Sequence, residues 1–326
     1  MRYNYVIIQS HADYYHVTWS DIEKCDNAKI YYGIGPKRGF LHGLARLQHS
    51  SKLNMFFKVP FRGIWYKYFS RIKFNDNSRE TCFLINADMF RNSGNFIPKL
   101  RSVLPGVKVV GFYTDLVKTK PKEVWPERIR NSSDLLISYD RIDAEKYDML
   151  YYPTVFSDYQ VDDNVNIPVC DVYFVGAAKN RIKTVLACYR QLVNAGLKCD
   201  FYISKVPREE QIPLEGIHYI ESMSYIDNLK HVTKCRCILE IMQKEAVGST
   251  LRMWEAINYG KAILTNNKGI MESEFYDSKY VSIIDESNKC DVGFIMDFIS
   301  YENPLRERIR PRSFLEFVDN RISLLK

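Results

Sequence analysis

The chain has 326 residues, 46% of them hydrophobic and 26% charged, with a formal net charge of +7. That balance is ample for buried cores and ordinary for a soluble globular protein, and the length favours two domains over one. No apolar run approaches the roughly eighteen residues of a membrane span, and residues 1–8 lead into a strand rather than a signal peptide, so a cytoplasmic protein is expected.

Strand-like and helix-like stretches alternate along the whole sequence, which predicts an α/β protein with parallel sheets. Strands are expected at 3–10, 29–32, 81–86, 107–113, 134–138 and 149–152, with helices near 96–104 and 143–147. A polar, aperiodic stretch at 154–168 reads as a linker. A second α/β run follows, with strands at 172–175, 198–203, 217–220, 237–241, 261–265 and 281–284. Helices are expected at 181–195, 225–232, 250–259 and 291–299, and 314–325 repeats its apolar residues at helical spacing. The expected domains are therefore 1–153, a linker at 154–168, 169–310, and a C-terminal helix at 311–326. Eight scattered cysteines include one close pair, Cys235-x-Cys237, without zinc spacing; most sit in apolar runs and read as reduced core residues, and no metal site is expected.

Residues 37–79 stand out. They interleave Lys37, Arg38, Arg46, Lys52, Lys58, Arg62, Lys67, Arg71, Lys73 and Arg79 with Phe56, Phe57, Phe61, Trp65, Tyr66, Tyr68 and Phe69, against one acid, Asp76. Cations among large rings suit an anionic membrane surface. A solvated basic face with its rings turned inward is the competing reading, and no nucleic-acid motif accompanies the segment.

Ligands of open α/β sheets bind beyond the carboxyl ends of the strands. Two strand-to-helix turns in the second half have the chemistry for an anion. Gly176-Ala177-Ala178-Lys179-Asn180-Arg181 leaves an apolar strand for a helix, without the further glycines of a dinucleotide fingerprint. Gly248-Ser249-Thr250 precedes a helix that Gly260 should end in a left-handed turn, with Gly248 or Ser249 as its cap. Arg252 falls in the first turn of that helix, where a cation opposes the macrodipole, and a bound anion would explain it. Glu255, at i+3, shares a face with Arg252; it is either a ribose acceptor or half of a surface ion pair.

Glu255-Ala256-Ile257-Asn258-Tyr259-Gly260-Lys261-Ala262-Ile263 resembles the donor-binding helix of GT-B glycosyltransferases of the bacterial capsule and lipopolysaccharide type. The turn at 176–181 and the segment 134–153 resemble that family as well. The resemblance implies two Rossmann-like domains facing across a cleft. It also implies a nucleoside diphosphate sugar bound by Gly176, Lys179, Arg181, Gln243, Gly248, Ser249, Thr250, Arg252 and Glu255, and a saccharide or lipid-linked acceptor. Eight residues before Glu255, where many members carry a second glutamate, stands Val247, so the stereochemistry does not carry over. No Asp-x-Asp motif sits at a strand end, which points to a reaction without metal or cofactor. The base for an acceptor hydroxyl would come from a strand-end turn of the first domain: His11 with Asp13 beside it, Asp88 or Asp115. The expected protein is a glycosyltransferase at the inner face of the membrane; a nucleotide-sugar epimerase of similar fold and a non-catalytic scaffold of polysaccharide assembly are the alternatives.

Overall fold

Apolar runs rich in branched and aromatic residues, closed by polar turns, form two six-stranded sheets, both wholly parallel. The computed structural model describes residues 1–57, 59–162, 166–242 and 248–325. The first sheet contains β1 (Tyr3–Gln9), β2 (Ala28–Tyr32), β3 (Glu80–Asn86), β4 (Lys108–Tyr113), β5 (Leu135–Ser138) and β6 (Leu150–Tyr151), in the order β2-β1-β3-β4-β5-β6. Every residue of β1 is buried, as a central parallel strand covered on both faces requires.

The second sheet contains β7 (Cys170–Ala177), β8 (Cys199–Ser204), β9 (Ile217–Ile220), β10 (Cys235–Glu240), β11 (Ala262–Thr265) and β12 (Val281–Ile283), in the order β12-β11-β10-β7-β8-β9. Its helix Ile182–Asn194 buries Val185, Leu186, Cys188, Tyr189 and Leu192, an i, i+3, i+4, i+7 stripe. In each sheet the winding direction reverses once, between β1 and β3 in the first and between β7 and β10 in the second. Such reversals leave a crevice beyond the carboxyl ends of the two strands.

Two compact units result, Met1–Tyr159 with Arg308–Lys326, and Gln160–Glu307. The polar stretch expected as a linker thus begins inside the first unit: Phe156 is fully buried and its N–H donates to the Ile309 carbonyl. The C-terminal helix Pro311–Ile322 returns to the first sheet, where Phe314 packs on Trp19, Phe112 and Tyr152. Its Asp319 carboxylate accepts hydrogen bonds from the Arg2 and Tyr3 N–H groups and the Tyr5 hydroxyl at 2.7, 3.2 and 2.8 Å. Apolar spacing shows that such a helix buries one stripe; it does not reveal which sheet receives it.

The basic-aromatic segment divides between its two readings. Trp65 and Phe69 enter the first core, whereas Phe56, Phe57 and Phe61 stay outside. All eight cysteines are free, and no cluster suited to a metal ion occurs among the described residues.

Candidate functional site

The reversal between β7 and β10 gathers the polar groups of the second unit. β10 runs Cys-Arg-Cys-Ile-Leu-Glu and ends on Glu240, whose carboxylate is buried. Thr265, the last residue of neighbouring β11, donates its hydroxyl to Glu240 Oε2 at 2.5 Å, and the Thr250 hydroxyl donates to Oε1. Thr250 is also the N-cap of the helix Leu251–Tyr259, accepting from the Arg252 N–H at 3.1 Å. The cap is therefore Thr250, not Gly248 or Ser249, because its hydroxyl can serve the helix and Glu240 together. Gly260 ends the helix in the left-handed conformation, φ 62°, as expected.

Two guanidinium groups lie at the same ends of β7 and β10. Arg252 donates to the Val175 carbonyl at 2.7 Å. Arg181 donates from Nε to the Ala177 carbonyl at 3.0 Å and from Nη1 to the Ile241 carbonyl. The Phe174 ring lies under Arg181, 5.8 Å from centroid to guanidinium. Burial and the neighbouring Arg252 cation both push the Arg181 pKa down. Among the described residues neither arginine forms an ion pair. A guanidinium carries five N–H donors, so carbonyl contacts leave several of them for another acceptor. Two adjacent cations held by neutral carbonyls, at the topological reversal of a parallel sheet, have the chemistry to receive an anion.

Glu255 does not take the surface position that the ion-pair reading expects. It is 0% exposed, and its Oε1 accepts from Asn228 Nδ2 at 3.0 Å. The Tyr225 hydroxyl also lies against its carboxylate, and Asn228 is in turn oriented by the Tyr173 hydroxyl at 3.1 Å. The surface pair with Arg252 is not formed: the two interact by charge but outside ion-pair distance. Burial raises the pKa of both Glu240 and Glu255, while Arg252 and the hydrogen bonds to each carboxylate pull the other way. Asn228, Tyr225, Thr265 and Asn267, which holds the Gly248 carbonyl at 3.0 Å, complete a polar network that sequence reading missed. The available signal was the polar endings of β10 and β11, Glu240 and Thr265-Asn266-Asn267.

Gly176 leaves the space that Arg181 fills: a Cβ there would stand 2.6 Å from Arg181 Nη2. Lys179 is exposed, with φ +44°, and Ser249 is half-buried beside the cap. Gln243 lies outside the described residues, as does Val247. Because only the end of a flexible side chain opposes it, Gly176→Ala should displace the Arg181 guanidinium and leave the sheet intact. We expect severalfold weaker binding of nucleoside diphosphates by titration calorimetry, with a melting temperature close to the parent's. Unchanged affinity would remove Arg181 from the site.

In the first unit the candidate bases separate by environment. Lys120 Nζ donates to Asp88 at 2.8 Å and to Asp115 at 3.0 Å. Burial works to lower the Lys120 pKa, but the Asp88 hydrogen bond and the two carboxylate charges outweigh it and raise it. Both carboxylates thus spend an oxygen on one ammonium. His11 forms no ion pair among the described residues and is not bonded to Asp13. Its pKa is lowered by burial and by the charges of Arg46 and His42, which keeps the imidazole neutral and proton-accepting. Gly33, φ +92°, makes room for that ring, since a Cβ there would lie 2.5 Å from His11 Nε2.

No family model matches the chain, and no curated protein matches it in sequence. Solved structures do. A Listeria monocytogenes protein assigned as a UDP-N-acetylglucosamine 2-epimerase is 11% identical, with 98% of this chain and 89% of that chain covered, at a TM-score of 0.54. The UDP-GlcNAc 2-epimerase of Neisseria meningitidis, bound to UDP-GlcNAc, is 11% identical over 97% of this chain and 99% of that chain, at 0.52. The E. coli heptosyltransferase WaaC, with ADP-2-deoxy-2-fluoro heptose, is 8% identical over 97% and 99%, at 0.41. At these identities the likeness is one of fold, and the fold is the two-sheet α/β architecture of the GT-B class.

Proposed function

We propose that the chain is a glycosyltransferase that moves a sugar from a nucleoside diphosphate donor to a lipid-linked or surface-polysaccharide acceptor. The observation that carries the donor half is the adjacent pair Arg181 and Arg252, held by carbonyls at the β7/β10 reversal with no paired carboxylate among the described residues. The diphosphate would lie against these two guanidiniums and the start of the helix Leu251–Tyr259, with Lys179, Gly248 and Ser249 around it. Fixed cations there would stabilise the charge that develops on the leaving diphosphate, so the reading needs no metal. His11 is the preferred base, because it is neutral while Asp88 and Asp115 share Lys120. The reaction would take place at the anionic inner face of a membrane, with the exposed basic and aromatic residues of the 37–79 segment turned towards it.

A second reading, nucleotide-sugar epimerisation, is favoured by two of the similar structures, at TM-scores of 0.54 and 0.52, both named as UDP-N-acetylglucosamine 2-epimerases. Both readings share the donor site and differ in the need for an acceptor. A thermal-shift screen against UDP, GDP, CDP and TDP sugars should reveal one stabilising nucleotide; no stabilisation by any would end both readings. With that donor, product analysis by NMR should show no turnover until an acceptor lipid is added. Conversion of the donor sugar without acceptor would assign the epimerase.

A further inference from the structure

No acid occurs between Asp26 and Asp76, and several large apolar side chains of this stretch stay exposed. The helix Phe40–His49 buries Ala45 and Gln48 and rests Leu44 on the core. Phe40, Leu41 and Leu47 are left 86%, 52% and 55% exposed. The helix Ser51–Phe56 and the turn Arg62–Trp65 pack beside it, and Phe56, Phe57 and Phe61 are 74–75% exposed. This arrangement is anchored: Trp65 Nε1 donates to buried Gln48 Oε1 at 2.8 Å, and Asn54 Nδ2 donates to the Gln48 carbonyl at 2.7 Å. Next to it an open groove of about 610 Å³ is lined by Lys29, Tyr31, Trp65, Lys67, Tyr68 and Arg71. Among the described residues none of Lys37, Arg38, Arg46, Lys67 and Arg71 is in an ion pair.

Single exposed apolar residues are ordinary on a protein surface, but several large ones on adjoining elements mark a contact site. The charge here has one sign. A second copy of the chain docked symmetrically would set cation against cation. An anionic bilayer offers phosphates and hydrocarbon within one interface, the pairing these side chains fit. We propose that this face seats the protein on an anionic phospholipid bilayer. Phe40, Phe56, Phe57 and Phe61 enter the headgroup–acyl boundary, and Lys37, Arg38, Lys67 and Arg71 meet lipid phosphates. This names the residues behind the membrane part of the reading above and is independent of the donor chemistry.

Vesicle flotation of the full chain tests it. Binding is expected to vesicles of phosphatidylcholine with phosphatidylglycerol and not to phosphatidylcholine alone. The triple variant Phe56→Ser/Phe57→Ser/Phe61→Ser should partition at least roughly tenfold less, and Lys67→Glu/Arg71→Glu should lose the preference for anionic lipid. Both variants should keep the parent's melting temperature and its affinity for the stabilising nucleotide, which separates failure of this proposal from failure of the donor site. Absence of flotation, equal flotation on neutral vesicles, or full binding by the triple variant would overturn it. So would a dimer in sedimentation velocity that the triple variant dissolves, since that outcome assigns the face to a second copy.

Discussion

Replacing Arg252 by alanine should weaken nucleoside diphosphate binding by about tenfold to a hundredfold, the effect of losing one charge-assisted hydrogen bond to phosphate of roughly 1.5–3 kcal/mol. The guanidinium sits in the first turn of the helix Leu251–Tyr259, where helix stability would favour an acid. It donates to the Val175 carbonyl, and its charge is felt by Arg181. An anion between them would neutralise two like charges whose proximity is otherwise a cost. The alanine variant also frees the Val175 carbonyl and removes the cation that favours ionised Glu240 and Glu255, so some stability is lost as well. Arg252→Lys separates the two effects. It keeps the charge but loses the planar fork, and should recover part of the affinity. Calorimetry with the nucleotide found by thermal shift decides the matter: a folded alanine variant with the parent's affinity would sink the donor site.

The same residues mark how far the sequence could be read. Arg252, Gly260 and the Gly176 turn were legible because each breaks a local rule, a cation against a dipole or a glycine closing a periodic stretch, and local rules need only neighbouring residues. The network behind them was not. Asn228 and Glu255 are 27 positions apart, and Thr265 and Glu240 are 25 apart; only the order β11-β10-β7 brings such pairs together. The surface-pair alternative for Glu255 rests on a local rule, that a carboxylate at i+3 from an arginine is usually exposed. The complete burial of Glu255 depends on Tyr225 and Asn228 arriving from another helix, Tyr225–Lys234. The aromatic segment shows the same limit. Nothing local distinguishes Trp65, whose indole N–H finds buried Gln48, from Phe57, which carries no polar group to be held.

Glu255→Gln should raise the melting temperature at pH 7.5 while weakening the binding of the nucleotide. Burial is the largest influence on Glu255 and raises its pKa above the ordinary 4.5, with Arg252, Tyr225 and Asn228 opposing it only in part. An acid with a raised pKa binds its proton more tightly in the folded chain. Below about pH 4.5 it is protonated in both states and carries no ionisation penalty. As the pH climbs from there through the folded pKa, the unfolded chain ionises first and stability is lost, and it stays lost at higher pH. Glutamine keeps an oxygen for Asn228 and cannot ionise, so it removes that penalty. The gain should be about 2–4 °C for each kcal/mol in a unit of this size, largest above the folded pKa and vanishing towards pH 4.5. A lower melting temperature at pH 7.5 would mean that Arg252 and the two hydrogen bonds outweigh burial. A carboxylate kept at a cost to stability has a task, and for Glu255 the proposed task is the ribose. The glutamine variant should therefore lose affinity for a nucleoside diphosphate but not for inorganic pyrophosphate, which has no ribose to hold. Equal losses for the two ligands would reduce Glu255 to a support for Arg252.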